Sequence, residues 1–308
     1  MKKLSLYLLT GALACLSHSA HAKASAHPAY NQTPTRYIEA KGTRYAYRVV
    51  GEDHGGTPLL LLQHFTGTMD DWDPATIEDL ARRRRLYIFD NAGVGRSGGA
   101  SPDSVAAMAT NVASFLDALA VSQVDLLGFS IGGFIGQQLL FDRPELVRKA
   151  ILVGTGPQGG TGIKDLPGVI QGAFQKAGEQ KLHPKVLLFF TASKSGKAAA
   201  TEFVNRIDKH GVDAEPAASN ETTMAQMKAI VGWGSAARNR AQLAKIRQPV
   251  LIVNGSDDVI VPTDNSFALY RDIPTAQLSL YPDSGHGALF QYSRLFVSQV
   301  DAFLDGPQ

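Results

Sequence analysis

Hydrophobic residues in this chain first alternate with polar ones and then gather into short continuous runs. Residues 36–40 and 44–50 alternate as an antiparallel strand pair does, with Lys41 and Gly42 at the turn between them. Residues 59–62 are four leucines in succession, which is typical of a strand buried on both faces of a sheet. The pattern therefore predicts β structure from residue 35 onward.

Beyond residue 62, strand-like apolar runs alternate with segments of helical periodicity. The predicted strands are 86–89, 124–129, 150–153, 250–253 and 277–281. The predicted helices are 74–83, 103–119, 131–142, 264–271 and 291–304. For the second helix, Ser101 is the expected N-cap and Pro102 the first helical residue. This alternation predicts an α/β fold with a mostly parallel central sheet flanked by helices.

The strand pattern is interrupted between residues 157 and 245, where glycine-rich loops and helical stretches occur without a convincing strand. We interpret this segment as a helical cap inserted into a core formed by residues 35–156 and 246–308. Residues 23–34 are small and polar, without periodicity, and are expected to form a flexible lead-in.

The first 22 residues have the pattern of a secretory signal peptide. Two lysines precede an apolar run over residues 4–16, and a small-x-small sequence at 20–22 predicts cleavage after Ala22. We therefore expect a periplasmic or secreted protein. The apolar run is too short for a membrane span, and no later segment approaches the roughly 20 apolar residues that a span needs, so no stable membrane insertion is expected. The single cysteine, Cys15, lies within the leader, where lipid attachment is the alternative interpretation.

Charge gives no indication of a nucleic-acid partner. The 308-residue chain carries 30 basic and 28 acidic side chains. Two of the lysines lie in the predicted leader, so the mature chain holds 28 of each sign, with no excess to attract a polyanion. The basic run 82–85 is interpreted as the end of a helix, where cations interact favourably with the helix dipole.

The first candidate for chemistry is Ser130, within Gly128-Phe129-Ser130-Ile131-Gly132. This is the G-x-S-x-G pattern of a nucleophile elbow, and a predicted strand enters it and a predicted helix leaves it, as the motif requires. The alternative is a glycine-rich turn with an incidental serine. We predict that Ser130 is a nucleophile.

A serine nucleophile needs a base, and the base needs a group that fixes its tautomer. Of the eight histidines, His286 follows the last predicted strand, where open α/β sheets build their sites. His64 follows the third strand and is interpreted as a structural residue bonded to nearby backbone. Asp257 and Asp258 both follow the strand at 250–253, and we select Asp258. The order Ser, Asp, His is that of α/β hydrolases.

Four segments resemble those of the α/β-hydrolase superfamily: 128–132, 255–262, 284–287 and the D-x-x-G-x-G-x-S turn at 90–97. The chain is most similar to the group of enol-lactonases, small carboxylesterases and cofactor-free haloperoxidase-like enzymes.

The resemblance implies an oxyanion hole made by two backbone N–H groups. The first would be that of Ile131. The second would be that of Phe65 if the glycine of the family's His-Gly pair is deleted here, or that of Thr66 if it is substituted. We favour Phe65. No metal or organic cofactor is implied.

These observations predict an exported serine hydrolase whose partner is a small-molecule ester or lactone, cleaved through an acyl-enzyme. A carbon–carbon bond hydrolase, a peptidase or a perhydrolase would use the same three residues. A non-catalytic small-molecule-binding protein is the alternative from a different class. The segment 157–245 has twelve basic and seven acidic residues, a surplus that would suit either carboxylated substrates or solvation of a lid.

Overall fold

The computed structural model describes residues 29–209 and 213–307. The predicted signal peptide and residues 23–28 of the lead-in lie outside the described residues. Eight strands form a single sheet. In chain order they are β1 (Arg36–Ala40), β2 (Thr43–Val50), β3 (Leu59–Leu62), β4 (Leu86–Phe89), β5 (Val124–Phe129), β6 (Val147–Val153), β7 (Val250–Gly255) and β8 (Ala276–Tyr281).

The sheet has the order β1-β2-β4-β3-β5-β6-β7-β8. The pairs β1–β2 and β2–β4 are antiparallel, and every pair from β4 to β8 is parallel. The central strands β3, β5 and β7 are buried along their whole length, as their continuous apolar sequences predict. The predicted α/β fold is therefore confirmed.

Helices cover both faces of the sheet. They are α1 (Pro74–Ala81), α2 (Val105–Ala118), α3 (Ile131–Asp142), α4 (Leu166–Gln180), α5 (Pro184–Phe189), α6 (Lys194–Ile207), α7 (Asn220–Ser235), α8 (Arg240–Leu243), α9 (Asp264–Asp272), α10 (Ala288–Gln291) and α11 (Ser293–Asp305). One apolar layer includes residues of α2, α3, α7 and α9, and the other includes residues of α1, α6, α10 and α11.

The segment between β6 and β7 contains α4 to α8, and its described residues form no strand. We call residues 157–245 the helical insert. Its helices lie over the carboxyl ends of the strands, since residues of α4, α5 and α7 line one cavity together with Ser130. None of the helices in the described ranges is long and apolar enough to cross a bilayer.

Two local predictions of helix boundaries were wrong. The cap of α2 is Ser104, whose hydroxyl accepts the Ala107 N–H at 3.3 Å, so the helix begins later than Ser101 and Pro102 indicated. The single helix predicted at 291–304 is two helices, α10 and α11, separated at Tyr292, whose backbone has φ −110° and ψ 35°. Both errors concern where a helix begins or ends. Several residues could serve locally, and tertiary packing determines which one does.

Part of the lead-in that we predicted to be flexible is packed onto the core. Tyr30 begins a short 3₁₀ turn and is 1% exposed. Its hydroxyl donates to the Met69 carbonyl at 2.5 Å, and the Arg48 guanidinium lies 5.7 Å from its ring centroid. A single buried aromatic residue therefore anchors a segment whose polar composition gave no sign of order.

Candidate active site

Ser130 lies at the sharp turn between β5 and α3. Its backbone has φ 58° and ψ −121°, a conformation that costs a non-glycine residue on the order of 1–3 kcal/mol. The surrounding structure holds it: the Ser130 N–H donates to the Val153 carbonyl at 2.9 Å. The Ser130 carbonyl accepts the Gly133 N–H at 2.9 Å and the Thr155 hydroxyl at 3.0 Å.

The two glycines of the motif allow α3 to approach the sheet closely. A Cβ on Gly128 would lie 2.5 Å from the Gly132 carbonyl oxygen, and a Cβ on Gly132 would lie 2.2 Å from the Leu62 carbonyl oxygen. Both separations are well below van der Waals contact. The strand, the turn and the helix can therefore pack in this way only with glycine at both positions.

His286 and Asp258 are joined at the carboxyl ends of β8 and β7. The His286 Nδ1–H donates to Asp258 Oδ2 at 2.8 Å, and the two residues are 2% and 4% exposed. The other oxygen, Oδ1, accepts the N–H groups of Ile260 and Val261 at 2.8 and 3.0 Å. Asp257 is exposed and accepts the Ser256 hydroxyl. The carboxylate at the histidine is thus Asp258.

The helical insert supports the loop that carries His286. The imidazole ring packs against Phe129 and Phe189, at centroid distances of 4.9 and 5.7 Å. The Gly287 N–H donates to the Phe189 carbonyl at 2.8 Å. Asp283, at φ 45°, accepts hydrogen bonds from three hydroxyl groups that lie at and before the start of α6. These belong to Thr191, Ser193 and Ser195.

The loop after β3 has one backbone donor without an acceptor. Six N–H groups lie between residues 64 and 69, and five of them donate within the protein. The pairs are His64 with Gln63 Oε1 (2.9 Å), Thr66 with Gln226 Oε1 (2.7 Å), Gly67 with the His64 carbonyl (3.0 Å), Thr68 with Asp71 Oδ2 (2.7 Å) and Met69 with Asp90 Oδ1 (2.7 Å). Within the described residues the Phe65 N–H has no acceptor. This favours Phe65 over Thr66 as an anion donor, because the Thr66 N–H is already bound.

Ile131 offers a second donor on the other side of Ser130. It is the first residue of α3, and the opening N–H groups of a helix have no intrahelical acceptor. The N-terminus of a helix also favours negative charge. An oxyanion at this position would therefore be stabilised both by the amide and by the helix dipole.

His64 is buried beside the site and is neutral. Burial lowers the pKa of His64 to about 3. Its Nδ1–H donates to the Phe65 carbonyl at 2.9 Å, a bond to nearby backbone of the kind the sequence suggested. Among the described residues its Nε2 has no partner.

Ser130 and His286 line the same cavity, which has a volume of about 680 Å³. No hydrogen bond joins the Ser130 hydroxyl to the ring among the contacts of the described residues. The wall contributed by the helical insert is mainly apolar, with Leu166, Ile170, Phe174, Leu188, Met227 and Ile230. Pockets of this size and character accommodate small organic molecules.

Lys185 is the one cation among the described lining residues, and it forms an ion pair with Asp71. Although burial opposes ionisation of the carboxyl group, Lys185 holds the pKa of Asp71 at about 2. The pair is therefore charged at neutral pH and internally compensated. A substrate carboxylate would find no free counter-charge on this wall.

A buried charge network at the edge of the cavity was missed by the sequence analysis. Arg48 pairs with Asp70 at 2.6 Å and with Glu215 at 3.3 Å. Burial, together with the adjacent Glu215 carboxyl, raises the pKa of Asp90 well above its usual range. The Arg96 N–H also donates to Glu215, at 2.9 Å. The sequence shows Glu215 as an acidic residue of the predicted cap, but nothing near it in sequence indicates that it contacts Arg48 or Asp90.

The elbow serine on a mostly parallel sheet, with a buried histidine–carboxylate pair at the same edge, defines an enzyme of the α/β-hydrolase class. The profile of the alpha/beta hydrolase fold family matches residues 57–291. The chain therefore belongs to this family, and it is a hydrolase.

Curated relatives match most of the chain. A putative carbamate hydrolase RutD from Rhizobium rhizogenes is 28% identical over 270 residues, covering 84% of this chain and 97% of the relative. A pimeloyl-[acyl-carrier protein] methyl ester esterase from Nitrosomonas europaea is 26% identical over 253 residues, covering 80% and 95%.

Among solved structures, an alpha/beta hydrolase fold protein from Chitinophaga pinensis is 41% identical, with a TM-score of 0.85. The match covers 91% of this chain and 100% of that one.

Proposed function

We propose that this hydrolase cleaves uncharged carboxylic esters or lactones with Ser130 as nucleophile, His286 as general base and Asp258 as the carboxylate that orients the base. The proposal is carried by the 2.8 Å bond from His286 Nδ1 to Asp258, in a cavity that Ser130 also lines. With Nδ1 protonated, Nε2 is the ring nitrogen free to take a proton. Serine–histidine contacts are often long before substrate binds and shorten in the complex.

The reaction proceeds in two acyl transfers. His286 Nε2 takes the proton of the Ser130 hydroxyl as Oγ attacks the carbonyl carbon, and the negative charge goes to the carbonyl oxygen. The N–H groups of Phe65 and Ile131 bind that oxyanion. Its collapse expels the alcohol or enolate, which receives the proton from His286. Water then attacks the acyl-enzyme with the same histidine as base. The bond to Oγ breaks, His286 returns the proton to Oγ, and the carboxylic acid is released.

The cavity supports a substrate with an uncharged, apolar acyl group. Its apolar wall would bury an acyl chain, and its one described cation is already paired. The basic surplus of the helical insert therefore gives no reason to expect carboxylated substrates. An ester substrate agrees with the methyl ester esterase among the relatives. The size of the cavity favours an acyl ester over a small polar carbamate.

The test is a hydrolysis panel run on the wild type and Ser130→Ala together. It contains p-nitrophenyl esters of two, four, eight and twelve carbons, a medium-chain lactone and the monoester of a dicarboxylic acid. We expect the neutral medium-chain substrates to be cleaved fastest, and Ser130→Ala to lose both turnover and labelling by a fluorophosphonate probe. Turnover that survives in Ser130→Ala, or a wild type that is neither active nor labelled, contradicts the proposal.

We also propose that the protein is exported, on the strength of the leader pattern at residues 1–22. Expression of the full chain in a bacterial host, followed by cell fractionation and N-terminal sequencing, tests this. A mature protein that begins at Lys23 outside the cytoplasm is expected. An uncleaved chain in the cytoplasm contradicts it.

A further inference from the structure

The helical insert reaches the loop after β3 through one buried side chain. Gln226 lies on α7 and is 3% exposed. Its Oε1 accepts the Thr66 N–H at 2.7 Å, across 160 residues of sequence. Because a backbone N–H can only donate, the side-chain oxygen must face the loop. Helix α7 therefore has a direct polar contact with the segment that carries Phe65.

This contact falls on a strained turn. The Gly67 N–H donates to the His64 carbonyl at 3.0 Å, so residues 64–67 form a β-turn with Phe65 and Thr66 at its centre. Thr66 has φ 57°. A positive φ at this position is typical of glycine or asparagine in a type II turn, and a β-branched residue there is an outlier. The alternative type I turn differs by reversal of the peptide between Phe65 and Thr66.

Every polar group of that central peptide is bound. The Phe65 carbonyl accepts the His64 Nδ1–H at 2.9 Å and the Thr66 hydroxyl at 2.7 Å. The Thr66 N–H is bound by Gln226 alone. The first two contacts come from the turn itself. Among residues 29–209 and 213–307, the helical insert supplies the only hydrogen bond to this peptide from outside the turn. Reversal of the peptide would change the backbone torsion at Phe65 and leave Gln226 without its donor.

We propose that Gln226 is a positioning residue. By binding the Thr66 N–H it fixes the Phe65–Thr66 peptide and so stabilises the turn whose first central residue, Phe65, presents the N–H of the preceding peptide to the oxyanion. The inference rests on the proposed function, because it takes the Phe65 N–H as an oxyanion donor. Gln226 does not touch the reacting atoms. The oxyanion hole then depends on the packing of α7 against the loop after β3. In this way the helical insert contributes to catalysis as well as to the cavity wall.

The main test compares Gln226→Met in two backgrounds, wild type and Thr66→Gly. Methionine keeps the length of the side chain but cannot accept the Thr66 N–H. Glycine adopts a positive φ without strain, so its turn needs no support from α7. In the wild-type background we expect Gln226→Met to lower kcat about 10- to 100-fold while KM changes less than about threefold. This is less than the roughly 100- to 1,000-fold loss seen when an oxyanion donor is removed outright, because Phe65 keeps its N–H. In the Thr66→Gly background the loss should be less than threefold.

A transition-state analogue gives a second measurement. A trifluoromethyl ketone carrying the best acyl chain forms a serine hemiketal whose oxyanion needs the hole, so its affinity should fall by the same factor as kcat. If Gln226 only packs α7, Gln226→Met will cost the same in both backgrounds, and the proposal is wrong. It is also wrong if kcat and analogue affinity are unchanged in Gln226→Met.

Thr222→Val is the matched control. Thr222 also lies on α7, is 5% exposed, and donates its hydroxyl to the Gly93 carbonyl at 2.6 Å. It tethers the same helix to a different loop. We expect a lower melting temperature with unchanged kcat, and a kcat loss equal to that of Gln226→Met would contradict the inference. If Gln226→Met does not fold, Gln226→Asn, which withdraws the acceptor, should give the same ordering.

Failure of this inference is distinguishable from failure of the proposed function. If the wild type is labelled by a fluorophosphonate and turns over esters through Ser130, the proposed function stands whatever Gln226→Met does. If the wild type shows neither property, the proposed function itself fails and Phe65 has no oxyanion to bind.

Discussion

Replacing Asp258 by asparagine tests the orientation of the base. Asp258 Oδ2 receives the His286 Nδ1–H at 2.8 Å, and Oδ1 receives two backbone N–H groups. In Asp258→Asn the side-chain oxygen is retained by the two backbone donors, so the amide NH₂ faces the ring. The ring must then be unprotonated at Nδ1 and protonated at Nε2. That tautomer cannot take the proton from Ser130.

The expected loss in kcat is about 10⁴-fold, equivalent to about 5 kcal/mol of transition-state stabilisation. Asp257→Asn is the matched control, since Asp257 is the exposed neighbour and should change kcat less than threefold. Initial rates on a p-nitrophenyl ester measure the effect, and thermal unfolding shows whether Asp258→Asn remains folded. A folded Asp258→Asn within tenfold of wild-type kcat, or a greater loss in Asp257→Asn, refutes the reasoning.

Three further substitutions test the packing, the charge and the pH response. Gly132→Ala should lower the free energy of unfolding by about 1–3 kcal/mol or more in urea titrations, whereas Gly178→Ala, whose added Cβ meets no atom within 4 Å, should be neutral or stabilising. Asp71→Asn frees Lys185 from its ion pair. It should raise kcat/KM for the monoester of a dicarboxylic acid severalfold relative to kcat/KM for a neutral ester. An unchanged ratio of the two values would show that this cation does not determine selectivity. Because the pKa of Asp90 is raised in the folded state, its contribution to stability is present below its ordinary value of 3.8 and is lost as pH rises through the folded value. Asp90→Asn should therefore flatten the decline of unfolding free energy with pH above 4, and an identical pH profile would contradict this.

Features that depend on short stretches of sequence could be predicted. The strand end that carries Ser130 followed from an apolar run bounded by glycine, because a fully buried parallel strand needs such a run. The strand before His286 is the partly buried edge strand β8, in which polar and apolar residues alternate. The choice of Asp258 over Asp257 depended on which carboxyl turns inward, and the structure brings Asp258 to the histidine. The catalytic roles of these residues stay predictions until the variants are measured.

Features that depend on contacts between distant segments could not be predicted. Glu215 and Gln226 lie in the helical insert, where no strand register relates them to the core. Nothing near Gln226 in sequence indicates Thr66, and a threonine carries no visible sign of a positive φ. Tyr30 was missed for the same reason, since one aromatic residue in a polar segment does not reveal the groove that it fills.

Several of these distant contacts join the helical insert to the loops that carry the candidate site residues. The insert contacts the loop of His286 through Phe189 and through the hydroxyls that bind Asp283, and it contacts the loop of Phe65 through Gln226. The two loops lie at the ends of different strands, β8 and β3. Substitutions that weaken the packing of the insert should therefore disturb both loops together. The insert therefore supports both sides of the candidate site, the loop of the proposed base and the loop of the proposed oxyanion donor.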